Sequence, residues 1–286
     1  MEIIEKAPAK INLGIDALYQ REDGYYELEM VMASVDLSDH ITVFDFSEPK
    51  IKLKTNLSFL PLDSKNLVYK AAKLLMKRFT ISTGVSIEID KRIPVAAGLA
   101  GGSSDCAATL RALNKLWKLN LTLEELAEIG AEIGSDVPYC IYGNTAFVSG
   151  RGEIVEKITN IKPFWTVLVK PPKNMPTLSV FQALKLDDIS HPDIHALRKA
   201  INEQNFKQMF KNMGNVLESV TIERIPEIQK IKNTMLSLGA KAALMSGSGP
   251  TVFGICENQV QAKRVFNGIK GFNSEVYLVR LLTRKE

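Results

Sequence analysis

The chain has 286 residues, 45% of them hydrophobic and 24% charged, with a net charge of +4 at neutral pH. That length suits one large domain or two ordinary ones, and the composition is that of a soluble globular protein. The basic excess is mild and spread without a dense block, so it suits an anionic small molecule at least as well as a nucleic acid.

Three cysteines, Cys106, Cys140 and Cys256, lie far apart and form no C-x-x-C pair. Neither a zinc knuckle nor a disulfide framework is indicated, and a reducing compartment fits. The opening MEIIEKAPAKINL has no long apolar core and no cleavage-site pattern, so no signal peptide is expected and the cytoplasm is the expected location. No run of about 18 apolar residues occurs, so no membrane span is expected.

In chain order, residues 2–18 alternate loosely and read as strands broken near Pro8. Further strands are expected at 28–35, 40–46, 51–56 and 85–93, with a helix over 65–79 between the last two. A helix should follow from about 101 to Trp117, and another from Leu123 to about Ile133, where Thr122 and Glu125 have capping-box spacing. Residues 145–158 read as two short strands around a glycine-containing turn. After Pro163 come strand 164–170, helix 177–184, helices across 193–236, strands 241–246 and 251–256, helix 258–268 and strand 274–280. Leaving out the inserted helices, that order is β-α-β-β-α-β, the split βαβ plan. A boundary is expected near 158–163.

The stretch PVAAGLAGGSSDCAATL, residues 94–110, places glycine and alanine just ahead of a helix. A helix N-terminus presents unpaired N–H groups and a partial positive charge, and small residues before it let an anion reach the backbone. Ser103 or Ser104 could cap the helix or reach a phosphate through its hydroxyl. The alternative is a glycine-rich turn with no ligand. No Gly-Lys pair of a Walker A loop is present, nor HRD or DFG, and Gly247-Ser248-Gly249 lacks the third glycine of a dinucleotide fingerprint. Two further stretches share the character: APAKINLGI at 7–15 puts Lys10 and Asn12 on one face of a strand, and LMSGSGPTVFGI at 244–255 sets a small-residue turn between strands.

With PAKINL, PVAAGLAGGSSD and SGSGPTVF in this order, the sequence resembles the GHMP kinase superfamily over residues 5 to 280. REDGYYEL at 21–28 and IGSDVPYCIYGNTAFVSGRGE at 133–153 narrow the resemblance to its branch acting on a cytidyl-diphospho-methylerythritol of the non-mevalonate isoprenoid route. The resemblance implies an α+β fold of two domains. Residues 1–160 would resemble the second domain of ribosomal protein S5 and carry the phosphate loop and catalytic aspartate; residues 161–286 would be ferredoxin-like. It implies transfer of the ATP γ-phosphoryl group to the 2-hydroxyl of the methylerythritol moiety.

By the same resemblance Asp136 is the catalytic base; read alone, it is more often an aspartate capping a turn before Pro138. Lys10 matches the catalytic lysine: an ammonium beside Asp136 would hold it ionised and offset charge on the transferred oxygens. The triphosphate loop would be Pro94, Val95, Ala96, Ala97, Gly98, Leu99, Ala100, Gly101, Gly102, Ser103 and Ser104. Asn66 matches a position at the nucleotide base, or is simply a helix-start residue. Asn12, Tyr25, Tyr26 and Thr177 match positions at the substrate. Magnesium is expected with ATP, held mostly by phosphate oxygens and water, with no protein-built metal site. The expected partner is a small molecule, not nucleic acid or membrane, and the expected assembly a monomer or homodimer.

The sequence departs from these relatives at several points. Where they read D-G-Y-H, the fourth residue here is Tyr26, which can stack and offer a hydroxyl but cannot reproduce both imidazole nitrogens. Pro176 precedes Thr177 where relatives often have Ser-Thr. Ala100 replaces a loop glycine, which predicts a negative φ there. Cys106 stands where alanine is usual and is expected to pack as a small hydrophobe. The competing readings are homoserine or mevalonate kinase, a nucleotide-sensing or nucleic-acid-binding protein on the same scaffold, and a metal role for His191 and His195 at i, i+4 spacing.

Overall fold

The computed structural model describes residues 2–283. In chain order its elements are β1 (Glu2–Gln20), β2 (Tyr26–Phe46), β3 (Ile51–Thr55), α1 (Leu67–Arg78), β4 (Gly84–Asp90), α2 (Gly101–Leu116), α3 (Leu123–Ala131) and α4 (Val137–Tyr142). Then follow β5 (Thr145–Gly150), β6 (Ile154–Lys157), β7 (Trp165–Lys170), α5 (Thr177–Ala183), α6 (Ile194–Asn202), α7 (Phe206–Asn212), β8 (Gly214–Asn215) and α8 (Glu218–Arg224). The chain finishes with α9 (Glu227–Ser237), β9 (Ala242–Met245), β10 (Val252–Cys256), α10 (Gln259–Lys270) and β11 (Glu275–Arg280).

The chain forms two compact units. One comprises the chain up to Ala9, Leu37–Val95 and Ala100–Gly143; the other comprises Lys10–Asp36, Ala96–Leu99 and the chain from Asn144 onward. In the first unit, β4 lies between the second half of β2, which it pairs antiparallel, and β3, which it pairs parallel. Val85, Ile87 and Ile89 alternate inward along β4, as a half-buried strand requires. The central helix is α2, buried continuously from Ser104 to Leu113. A helix covered on all sides does not read as amphipathic, and alanine at 107, 108 and 112 lets neighbours approach it closely. Thr122 and Glu125 do form the capping box of α3.

In the second unit, β7, β9, β10 and β11 make an all-antiparallel sheet in the order β11-β7-β10-β9. Counted along the chain that is 4-1-3-2, the ferredoxin-like order expected from the β-α-β-β-α-β pattern. Every residue of β10 is buried, and a side chain at Gly254 would press on Met235 of α9. The first half of β2 pairs β5, which pairs β6, and β1 pairs β8 in parallel at Gly14 and Ile15.

Two expectations are corrected. Pro8 does not break the first strand: β1 runs through it, because proline's fixed φ is allowed in extended chain and only its donor is lost. Residues 28–35 and 40–46 belong to one strand, β2. Between them Asp39 is fully buried and its carboxylate has internal partners. The segment after Asp136 is a short helix, α4, with Pro138 in its first turn where a missing N–H costs little.

Candidate active site

Lys10 and Asn12 are two residues apart on β1 and share a face; both are buried. Lys10 Nζ donates to Asn12 Oδ1 at 2.6 Å, and Asn12 Nδ2 meets Met30 Sδ at 3.4 Å. The backbone N–H of Lys10 donates to Leu99 O at 3.1 Å, so the strand is tied to residues 96–99 of the small-residue loop. The second small-residue turn closes on both. Ser246 Oγ donates to Gly98 O at 2.9 Å, and a Cβ on Gly247 would lie 3.3 Å from Lys10 Nζ and 3.5 Å from Asn12 Oδ1. Thus Lys10, Asn12, the loop and the turn, separated by up to 240 positions, meet in one unit.

Asn215 completes this cluster and was not singled out from the sequence. Its Nδ2 donates to Met245 O and to Gly247 O, both at 2.8 Å, while its Oδ1 accepts from Leu217 N at 2.9 Å. One buried amide therefore fixes the entry to the 246–250 turn. Its only sequence trace is an asparagine after glycine, in a stretch read as helical.

The loop leading into α2 places Ala96, Gly98 and Ala100 at φ of 53°, 76° and 52°. The expectation of a negative φ at Ala100 is therefore wrong. Ala100 is the N-cap of α2 in the left-handed region, with no side-chain cap bond. That turn leads directly into the first turn of α2, and it holds although alanine bears a steric cost there that glycine does not. Ser104 does not cap the helix: its hydroxyl donates to Pro8 O at 2.7 Å, and its side chain is buried. Ser103 remains part-exposed in the first turn. A 16-residue helix whose first turn holds Gly-Gly-Ser-Ser, no acidic residue and no cap is chemically suited to a polyphosphate.

Beneath the same turn lies a buried ion cluster. Lys91 Nζ pairs with Asp39 and, at 2.7 Å, with Asp105; it would be 3.2 Å from a Cβ on Gly101. Asp39 Oδ1 also accepts from Ile93 N at 2.8 Å. Burial works against the charge of Lys91, but Asp105 and Asp39 outweigh it and raise its pKa. Burial pushes the Asp105 carboxyl well above the usual range; Lys91 opposes this and Asp39 adds to it. Asp105 Oδ1 has no hydrogen-bond partner.

Asp136 occupies the N-cap position of α4, part-exposed, and its side chain makes no cap bond. The turn before it is tight: Val137 is buried against Gly130, where a Cβ would come within 2.7 Å. Asn66 is a helix-start residue in the structure, its Oδ1 accepting from Val68 N and its Nδ2 donating to Pro61 O at 2.9 Å. Tyr25 is 56% exposed, and Tyr26 packs on Phe181 at 5.6 Å between ring centroids. Thr177 opens α5, and its hydroxyl lies 2.9 Å from Ser248 Oγ.

His191 and His195 meet separate carboxylates. His191 Nδ1 lies 2.7 Å from Asp16 Oδ1 and His195 Nε2 lies 3.2 Å from Glu29 Oε2; the Asp16 bond raises the pKa of His191. Cys106 is fully buried on α2, a small hydrophobe as expected, and burial raises its thiol pKa. No helix among the described residues is long and apolar enough to cross a membrane.

Comparison with known proteins bears on the same residues. The family model for the GHMP kinases N terminal domain matches residues 66–144, and that for GHMP kinases C terminal matches 193–274. The chain is 57% identical to a 4-diphosphocytidyl-2-C-methyl-D-erythritol kinase of Enterococcus faecalis, over 99% of this chain and 100% of the relative. It is 52% identical to that of Bacillus subtilis, over 99% and 98%. A crystal structure of 4-(cytidine 5'-diphospho)-2C-methyl-D-erythritol kinase superposes with a TM-score of 0.84 at 30% identity, covering 99% of this chain and 100% of the other. A homoserine kinase from Cytophaga hutchinsonii shares the fold, with a TM-score of 0.80 at 20% identity, over 97% and 94%. The chain belongs to the GHMP kinases, within the family of 4-diphosphocytidyl-2-C-methyl-D-erythritol kinases.

Proposed function

We propose that the chain transfers the γ-phosphoryl group of ATP to the 2-hydroxyl of 4-diphosphocytidyl-2-C-methyl-D-erythritol. The observation that carries the reading is the buried Lys10–Asn12 pair with the 96–99 loop and the 246–250 turn closed on it. A buried ammonium beside small-residue backbone suits a transferring phosphoryl group, whose charge grows on its equatorial oxygens. When bound, ATP with its magnesium supplies the electrophilic phosphorus. The α2 N-terminus holds the phosphates through backbone N–H groups, and Lys10 offsets their charge. Asp136 accepts the proton of the attacking hydroxyl. Asn66 contributes to the nucleotide base; Asn12, Tyr25, Tyr26 and Thr177 hold the acceptor. Magnesium is carried by phosphate oxygens and water rather than by a carboxylate cage. In this reading residues 1–160 carry the phosphate loop and the base, 161–286 form the ferredoxin-like part, and a monomer or homodimer works in the cytoplasm without nucleic acid or membrane.

The test is ADP release with ATP, magnesium and the cytidylated acceptor, for the intact chain and for Asp136→Asn, with homoserine and mevalonate as control acceptors. The intact chain turns over the cytidylated acceptor, and Asp136→Asn lowers kcat by about 10²–10⁴-fold, the worth of a general base. Turnover of a control acceptor instead would overturn the substrate assignment, and full activity in the variant would overturn the base.

A further inference from the structure

Among the described residues, the guanidinium of Arg151 on the β5–β6 hairpin makes no hydrogen bond. Arg151 sits at the hairpin tip between Gly150 and Gly152, and its guanidinium lies over the ring of Tyr25, 5.2 Å from the centroid. Its ionic neighbour Glu153 is 3.7 Å from Nε, beyond hydrogen-bond range, and Glu153 is engaged in closing the turn by accepting from Arg151 N at 2.6 Å. Arg21, on the same loop as Tyr25, is spent differently: its Nη1 donates to Glu27 at 2.5 Å. Glu27 also accepts from Gly150 N at 3.1 Å, which fastens the hairpin tip to the loop 21–27. The contact between Arg151 and Tyr25 is therefore built by the backbone beneath it and is not a chance meeting of two long side chains.

A guanidinium carries its N–H groups in one plane. Five donors in that plane match phosphate oxygens in pairs. Tyr25 keeps more than half its surface open, and the Arg151 side chain is 39% exposed, so both remain accessible. A nucleoside diphosphate combines the two features this pair can recognise, a flat base and two phosphates. Tyr26, next in sequence, packs on Phe181.

We propose that Arg151 is a specificity-determining residue for the acceptor, binding the diphosphate of its nucleotide portion while backing the ring of Tyr25. This rests on the reading of the acceptor given above. The test is calorimetric titration of CDP and of cytidine into the intact chain, Arg151→Ala and Arg151→Lys, together with KM values for the acceptor and for ATP. Arg151→Ala weakens CDP binding roughly tenfold, the worth of a charge-assisted hydrogen bond, and leaves cytidine binding in place. Arg151→Lys recovers part of the loss because it keeps the charge without the fork. The acceptor KM rises with the CDP constant while the ATP KM holds. Equal losses for CDP and cytidine would mean Arg151 acts through Tyr25 alone, and unchanged CDP binding would mean no contact; either overturns the proposal. An intact chain that binds CDP while the variant matches it sinks this inference alone. An intact chain that neither binds CDP nor turns over the acceptor sinks the functional reading with it.

Discussion

Residues 96–103 and 246–250 read alike, each a short run of glycine, alanine and serine, yet the structure uses them in opposite ways. The second is buried throughout, with its carbonyls taken up by Asn215 and Thr221 and a cis bond between Gly249 and Pro250. The first is part-exposed at Ala96, Gly98, Ala100, Gly101, Gly102 and Ser103 and ends in a helix without a cap. Small residues in the buried turn let backbone pack on backbone; in the exposed loop they leave backbone N–H groups open to an anion. Smallness alone does not distinguish the two uses, and burial does.

The comparison breaks most severely where the two stretches press together. Gly98 has φ of +76°, and a Cβ there would lie 2.2 Å from Ser246 O and 3.0 Å from Gly249 O, both rigid backbone. Gly98→Ala should therefore cost about 3 kcal/mol or more, through overpacking added to a left-handed backbone. Gly24 is the control: its φ is +82°, and nothing lies within 4 Å of a Cβ. Gly24→Ala should cost about 1 kcal/mol, the backbone part alone. Urea midpoints for the two variants separate the terms, and equal midpoints would mean that Gly98 is not packed as described.

A smaller break is expected at Asn215, which serves the buried turn and not the exposed loop. Asn215→Ala leaves the Met245 and Gly247 carbonyls without their donor and should cost about 2–3 kcal/mol, the usual penalty for stranding buried polar groups. Urea denaturation measures the loss. Because Gly247 also borders Lys10 and Asn12, the variant should lose activity beyond what its unfolded fraction explains.

The ferredoxin-like sheet was legible because each strand is short, apolar and bounded by turn residues, and because the split βαβ order has few alternatives. Strands β1 and β2 were less legible for a common reason: residues that punctuate most chains, Pro8 and the Asp36–Asp39 run, are absorbed here by partners far along the sequence. Ser104 reaches Pro8, and Lys91 with the N–H groups of 92 and 93 reaches Asp39. At the candidate site, Lys10 and Asn12 could be placed on one face by strand periodicity alone. Asn215 could not, since its partners are carbonyls 30 and 32 residues away and a carbonyl has no sequence signal. The backbone of Ala100 escaped for the opposite reason: the rule that alanine avoids positive φ is a penalty of about 1–2 kcal/mol, which a well-packed loop can outweigh.

That penalty supplies the mildest test. Ala100 holds φ of 52° and ψ of 30° at a part-exposed position. Glycine adopts this conformation without the clash between Cβ and the carbonyl, but it also gains freedom in the unfolded chain. The first effect is the larger, so Ala100→Gly should stabilise by about 0.5–1 kcal/mol, read as a rise in the urea midpoint at constant m-value. No partner of the buried turn is touched, and the N–H groups of α2 keep their direction, so the ATP KM should hold. Destabilisation instead would show that the methyl group of Ala100 packs against the loop, and the exposed stretch would then resemble the buried one more closely than its open backbone implies.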